Sequence, residues 1–208
     1  MRSHRFLTAG TTLTGIALLL QACSGTSSGT TAQPSQVAAA ASASPSAAPV
    51  EDSPSVAPVE DILAGERKAL IHISEEDKDW SATYEGPIAI GDGTDDGALF
   101  RLVPAGDGKH LIEALRAREE GGRWCVNADT REEPTGIGTI ACAETEDTLF
   151  TVTATGDSDD RGRPTHTITS EQHGALQVRN DGSALYLQEL GDGGGRGTYS
   201  FVDRGAVD

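Results

Sequence analysis

Basic residues, aromatics and cysteine are all scarce in this chain. Sixteen Lys and Arg stand against 32 Asp and Glu, only 4% of the 208 residues are aromatic, and there are 3 cysteines. The formal charge of −16 repels phosphate backbones and anionic lipid heads, which excludes nucleic-acid binding and membrane attachment through a basic patch. Apolar residues reach only 37%, below the usual globular share, so part of the chain lies outside any core. The length points to one domain. The mostly apolar run 6–20, about 15 residues, is too short for a permanent membrane span.

That run follows Arg2 and Arg5, and basic start plus apolar stretch read as an export signal over residues 1–22. It ends in Leu20-Gln21-Ala22-Cys23, which resembles the lipobox of bacterial lipoproteins, with Gln21 less usual than Ser or Ala. The resemblance implies that Cys23 is acylated and becomes the new N-terminus. Acyl chains anchor stably when there are two or more, because each buried CH₂ contributes roughly 0.8 kcal/mol. It also implies an extracytoplasmic protein, lipid-anchored at the outer face of the cell membrane. Residues 24–58 are almost all Ser, Ala, Thr, Gly, Pro, Gln and Val, with Ala-Pro-Val-Glu-Asp at 48–52 and again at 57–61. Such a composition cannot offset the entropy of ordering, so the segment 23–61 is expected to be a disordered tether. Gly25-Thr26-Ser27-Ser28-Gly29 fits the Gly-x-Ser-x-Gly esterase pattern, but that serine needs a strand-to-helix elbow which this linker lacks.

Residues 62–208 carry the expected folded domain, long enough for one core. Short alternating or branched apolar runs recur at 69–73, 87–90, 99–103, 111–112, 124–126, 137–140, 149–152, 176–178, 185–187 and 201–202. Turns such as Gly91-Asp92-Gly93 and Asn180-Asp181-Gly182 separate them, which reads as all-β. Only 62–70 and 110–118 have helical character. Phe100, Phe150 and Phe201 fall about 50 residues apart in similar closing runs, so three units are expected near 68–103, 109–152 and 165–202. Each is too small to bury its own apolar face, and three closing about a shared axis would bury all of them. Chance spacing within a Greek-key sandwich is the alternative.

In the middle unit, Trp124-Cys125-Val126-Asn127-Ala128, then Ile137-Gly138-Thr139-Ile140-Ala141-Cys142, then Thr148-Leu149-Phe150 resembles a ricin-B-type β-trefoil repeat. The resemblance covers the folded region in strand rhythm and only this unit in motif. It implies a disulfide between Cys125 and Cys142, which export permits and which adds roughly 3 kcal/mol in the chain-entropy model. It further implies a lectin-like sugar site at Asn127, with Asp129 beside it, although sugar-binding members carry Asp at the first position and an aromatic on the next strand. Here Asn127 replaces that acid, Thr148 and Phe150 replace the closing Gln and Trp, and 137–140 supplies no stacking ring, so a buried structural role for Asn127 is the alternative to sugar binding. Trp124, beside the cysteine, is expected in the core. Trp80 is expected to cap the barrel or sit on a binding loop.

Catalytic and metal signals are weak. His72, His110 and His166 recur at related places in the three units, as repeats copy positions, and are expected on strand surfaces. The acidic run Asp157-Ser158-Asp159-Asp160-Arg161-Gly162 departs from a calcium loop, since Arg161 takes a ligand position and Ile168 stands where a bidentate Glu is needed. It and 91–97 are expected to be solvated loops. No metal, no cofactor and no enzymatic activity are expected. The expected function is a binding module for glycan or for an extracellular protein. The alternatives are a protease inhibitor presenting loops 117–122 or 130–136, and an interaction module within an envelope complex.

Overall fold

A computed structural model describes residues 58–131, 133–189 and 195–207, all within one compact unit. The expected signal, Cys23 and most of the expected tether lie outside the described residues. Among those described, no helix is long and apolar enough to cross a membrane.

A single-turn helix, α1 (Val59–Leu63), spans the boundary expected near Ile62 and buries that side chain. Twelve strands follow among the described residues. The first unit holds β1 (Arg67–Ile73), β2 (Lys78–Ala82), β3 (Ile88–Gly91) and β4 (Phe100–Pro104). The second holds β5 (Lys109–Ala114), β6 (Trp124–Asp129), β7 (Gly136–Ala141) and β8 (Phe150–Ser158). The third holds β9 (Pro164–Ser170), β10 (Gly174–Val178), β11 (Leu185–Gln188) and β12 (Tyr199–Ala206). The runs 62–70 and 110–118 are therefore not helical beyond α1. They form β1 and β5, because each places branched side chains in a barrel wall where β-branched residues pack well.

The outer strands of the three units close into a ring of antiparallel pairs, β1 with β4, β4 with β5, β5 with β8, β8 with β9, β9 with β12, and β12 with β1. The hairpins β2–β3, β6–β7 and β10–β11 hang from this six-stranded barrel, one per unit. A barrel of three such units is a β-trefoil, and closing the ring leaves no free barrel edge.

Register identifies the equivalent residues. Ile71, Ile112 and Ile168 face Phe201, Leu102 and Val152 across the strand pairs that join one unit to the next. Phe100, Phe150 and Tyr199 form the second layer, paired with Ala69, His110 and His166 within their own units. Tyr199, not Phe201, is thus the third member of the aromatic set. All three rings are fully buried. The hairpins contribute Trp80, Val126 and Leu176, which share one register position and are also buried. Trp80 meets Phe100 and Tyr199 edge-on, with ring centroids 6.0 and 5.3 Å away. It lies inside the core, neither capping the barrel nor on a loop.

Two further expectations are corrected. Trp124 is only half-buried; it begins β6, and its indole Nε1 donates to Gly121 O at 3.0 Å. His72 and His166 are buried and not on the surface. His166 lies against Phe201 at 5.0 Å between ring centroids, and His110 is half-buried with Nε2 3.1 Å from Leu63 O. Only His110 and His166 are register-equivalent; His72 corresponds instead to Glu113, one place beyond the isoleucine layer.

Candidate functional site

The residue after the apolar hairpin position is Ser81 in the first unit, Asn127 in the second and Gln177 in the third. Their surroundings decide what each unit can bind. Asn127 donates from Nδ2 to Ala128 O at 2.9 Å, and its partner across the hairpin is Gly138, so no side chain faces it from β7. Asp129 is clasped by Arg131, whose Nε and Nη2 donate to its two oxygens at 2.8 and 2.6 Å. That guanidinium holds the Asp129 carboxyl below its ordinary range. Asn127 and Asp129 share a strand, but no described cavity is lined by either. In the third unit, Tyr186 Oη donates to Gln177 Oε1 at 2.9 Å. Cys125 and Cys142 are joined by a disulfide that links β6 to the segment after β7.

The first unit is built differently. Ser81 donates to both oxygens of Asp95, at 2.8 and 3.0 Å, which ties the loop after β3 back to β2. Asp95 also accepts from Gly97 N at 2.7 Å and so caps the 3₁₀ turn Asp96–Ala98, a role short acidic side chains fill well. Glycine is needed at position 97, where a Cβ would stand 2.4 Å from Ala82 O and 2.7 Å from Arg116 Nη2. Arg116, just past β5, reaches in over that glycine and donates to Asp96 at 2.5 Å. The segment 91–97 is therefore a bonded structure and not merely a solvated loop.

Arg116 also lies 4.3 Å from the centroid of Tyr84, a cation–π stack that backs one face of the ring. Tyr84 sits in the β2–β3 turn, which is closed by Thr83 donating through N and Oγ1 to Pro87 O at 3.0 and 2.8 Å. Its hydroxyl donates to Asp96 Oδ2 at 3.1 Å. The residue is 60% exposed, an unusual placement in a chain so poor in aromatics. Arg118 fixes the turn from below. It stacks 4.3 Å over Trp124, donates to Thr83 O and Tyr84 O at 3.0 and 3.1 Å, and reaches Thr139 on β7. An open recess of about 660 Å³ lies between Tyr84 and the segment Ala117, Arg118, Glu119, Glu120.

This arrangement offers a rigid apolar face bordered by acceptors. Asp95 and Asp96 keep 46% and 64% of their side chains exposed, so their free lone pairs can accept hydroxyl hydrogen bonds. Sequence reasoning missed Tyr84, Asp95, Asp96 and Arg116. The one signal was Tyr84 itself, alone among Thr, Glu, Gly and Pro with no apolar neighbour to bury it.

No family model matches the chain, and no curated protein matches it. Among solved structures, it is similar to a designed three-fold symmetric protein, ThreeFoil, with a TM-score of 0.52 at 17% identity over 66% of this chain and 99% of that one. It is also similar to Cry35Ab1, with a TM-score of 0.53 at 12% identity over 69% of this chain and 37% of that one. The chain thus spans little more than a third of Cry35Ab1. At such identities the likeness speaks for architecture alone, and it agrees with the ring of paired strands: this chain folds as a β-trefoil.

Proposed function

We propose that the chain is a non-catalytic, lectin-like module that binds carbohydrate at the Tyr84 platform and is held by lipid on Cys23 at the outer face of the cell membrane. The observation that carries the reading is the solvent-facing Tyr84 ring, backed by Arg116 and bordered by Asp95 and Asp96. A sugar ring presents C–H groups on one face and hydroxyls at its rim, which this pairing of aromatic face and carboxylate acceptors complements. The anchor rests on the lipobox resemblance. The test is a glycan array with the full chain, then Tyr84→Ala on any glycan that binds. Affinity should fall about tenfold, which is about 1.4 kcal/mol, while stability changes by less than about 0.5 kcal/mol, as for an exposed site. Equal binding by Tyr84→Ala, with loss in Asn127→Ala, would move the site to the middle unit.

A second reading, inhibition of extracellular proteases, is favoured by one feature. Arg131 projects from the segment 130–136 with its side chain 87% exposed, braced by Asp129. Inhibition of proteases that cleave after arginine, abolished in Arg131→Ala, would select it over the glycan reading.

A further inference from the structure

The first unit has a second cavity, of about 400 Å³, where β1 and β2 meet the β8–β9 hairpin and β12. That volume is within the roughly 300–1,000 Å³ typical of small-molecule sites. Four of the chain's 16 Lys and Arg line it, Lys78, Arg161, Arg163 and Arg204, so basic groups outnumber acidic ones on this wall in a protein with a net charge of −16.

The wall also carries three carboxylates, but each is already engaged. Asp79 is bonded to His72 Nδ1 at 3.0 Å, Asp92 to Lys78 and Asp77 to Arg161. A cation entering here would have to displace one of those partners, and among the described residues no group of His, Cys, Asp or Glu is arranged to hold a metal ion. Lys78 and Arg161 are taken up by those carboxylates, and the other two donors differ from them. The Arg204 side chain makes no hydrogen bond or ion pair among the described residues, and its backbone position on β12 sets it at the cavity. Arg163 donates through Nε to Asp159 at 2.6 Å, while its Nη2 is buried with no partner.

Arg163 is held rigidly. The Asp159 side chain is fully buried, and burial alone would raise its pKa. Hydrogen bonds from Ser200 Oγ, from the backbone N–H of Arg163 and from the Arg163 guanidinium outweigh that and hold it at about 2. The hairpin run 157–162 therefore carries an anchor for a cavity arginine, which corrects the expectation of a wholly solvated loop. Arg163 keeps 20% of its side chain exposed and lines the cavity together with Arg204, so an anion there can meet both guanidinium groups.

The geometry points to a second binding site here, for a small ligand bearing an oxyanion, a carboxylate or phosphate group, received by Arg204 and Arg163. Such a group is supplied equally by an acidic sugar, a sugar phosphate or free phosphate, and the probes separate these sources. Thermal unfolding and calorimetry on the full chain would use inorganic phosphate, glucuronate, glucose 6-phosphate and, as neutral control, glucose, at constant ionic strength. At least one oxyanion probe should raise the midpoint and bind, glucose should not, and Arg204→Gln should weaken that binding at least tenfold. Arg131→Gln removes the same charge outside the cavity and should bind as the parent does. The proposal is overturned if none of the oxyanions binds, if glucose binds equally, or if Arg204→Gln and Arg131→Gln bind alike. Because Tyr84 lies outside this cavity, Tyr84→Ala should leave oxyanion binding intact, so failure here and failure of the Tyr84 reading are separately visible.

Discussion

The middle and first units solve the same position in opposite ways. Register places Cys125 opposite Ile140 and Asp79 opposite Gly91, so Cys125 and Cys142 correspond to Asp79 and Gly93. In the middle unit these positions are sealed by a covalent bond. In the first, a carboxylate lies so close to the backbone that a Cβ on Gly93 would stand 2.3 Å from Asp79 Oδ2, and a cavity opens beside them. The barrel layer beneath is alike in both, Trp80 in one and Val126 in the other, each fully buried. The comparison teaches that the hairpin exterior is free to specialise once its inward residue is apolar: one unit is tied shut and another is left open for a ligand.

The largest effect should come from breaking the sealed side. The disulfide spans a sequence separation of 17, and losing such a loop constraint costs about 3 kcal/mol. Cys125→Ala with Cys142→Ala should lower the urea midpoint accordingly, with oxyanion and glycan binding little changed, since neither site uses these residues. A double variant as stable as the parent would mean that packing of β6 on β7 suffices and that the covalent tie is incidental.

A smaller effect is expected on the open side. Asp79→Ala leaves His72, 3% exposed, without its acceptor, and an unpaired buried polar group costs about 1–3 kcal/mol. Asp79→Asn retains an acceptor and should recover part of the loss in the same urea titration. If Asp79→Ala matched the parent, the His72–Asp79 bond would contribute nothing and the first unit would be held by Trp80 and its neighbours alone.

How much of this was legible in the sequence follows from the same contrast. The isoleucines at 71, 112 and 168 stand in visible β runs, and the unit spans 68–103, 109–152 and 165–202 fall within the strands that begin and end each unit. What resisted reading was anything whose burial depends on a neighbour distant in sequence. Lys78-Asp79-Trp80-Ser81-Ala82 has no aliphatic alternation, so β2 did not announce itself, and Trp80 is buried only because Phe100 and Tyr199 close over it. Spacing picked Phe201, whereas pairing with His166 selects Tyr199. The Tyr84 platform was illegible for the same reason: Tyr84, Asp96 and Arg116 meet only after β2, β4 and β5 have taken their places.

The smallest and most discriminating effect concerns a position at which the units differ in one residue type. Ala69, His110 and His166 share a register place beside the aromatic layer. Burial lowers the pKa of both histidines below the ordinary 6.5, only partly opposed for His110 by its bond to Leu63 O and for His166 by backbone bonds at Pro164 and Tyr199. Both are thus neutral in the fold at pH values where they are charged in the unfolded chain. The unfolded state takes up protons first, so stability is level above about pH 6.5 and declines as the pH falls below that value towards the lowered folded pKa. His166→Ala, which gives the third unit the residue of the first, should flatten that decline by the His166 share when melting temperature is followed from pH 7.5 to 5, and His110→Ala should flatten it independently. An unchanged slope in His166→Ala would show that His166 is protonated as readily in the fold as outside it. The buried environment assigned to it beside Phe201 would then be wrong, and the likeness between the second and third units would end at the backbone.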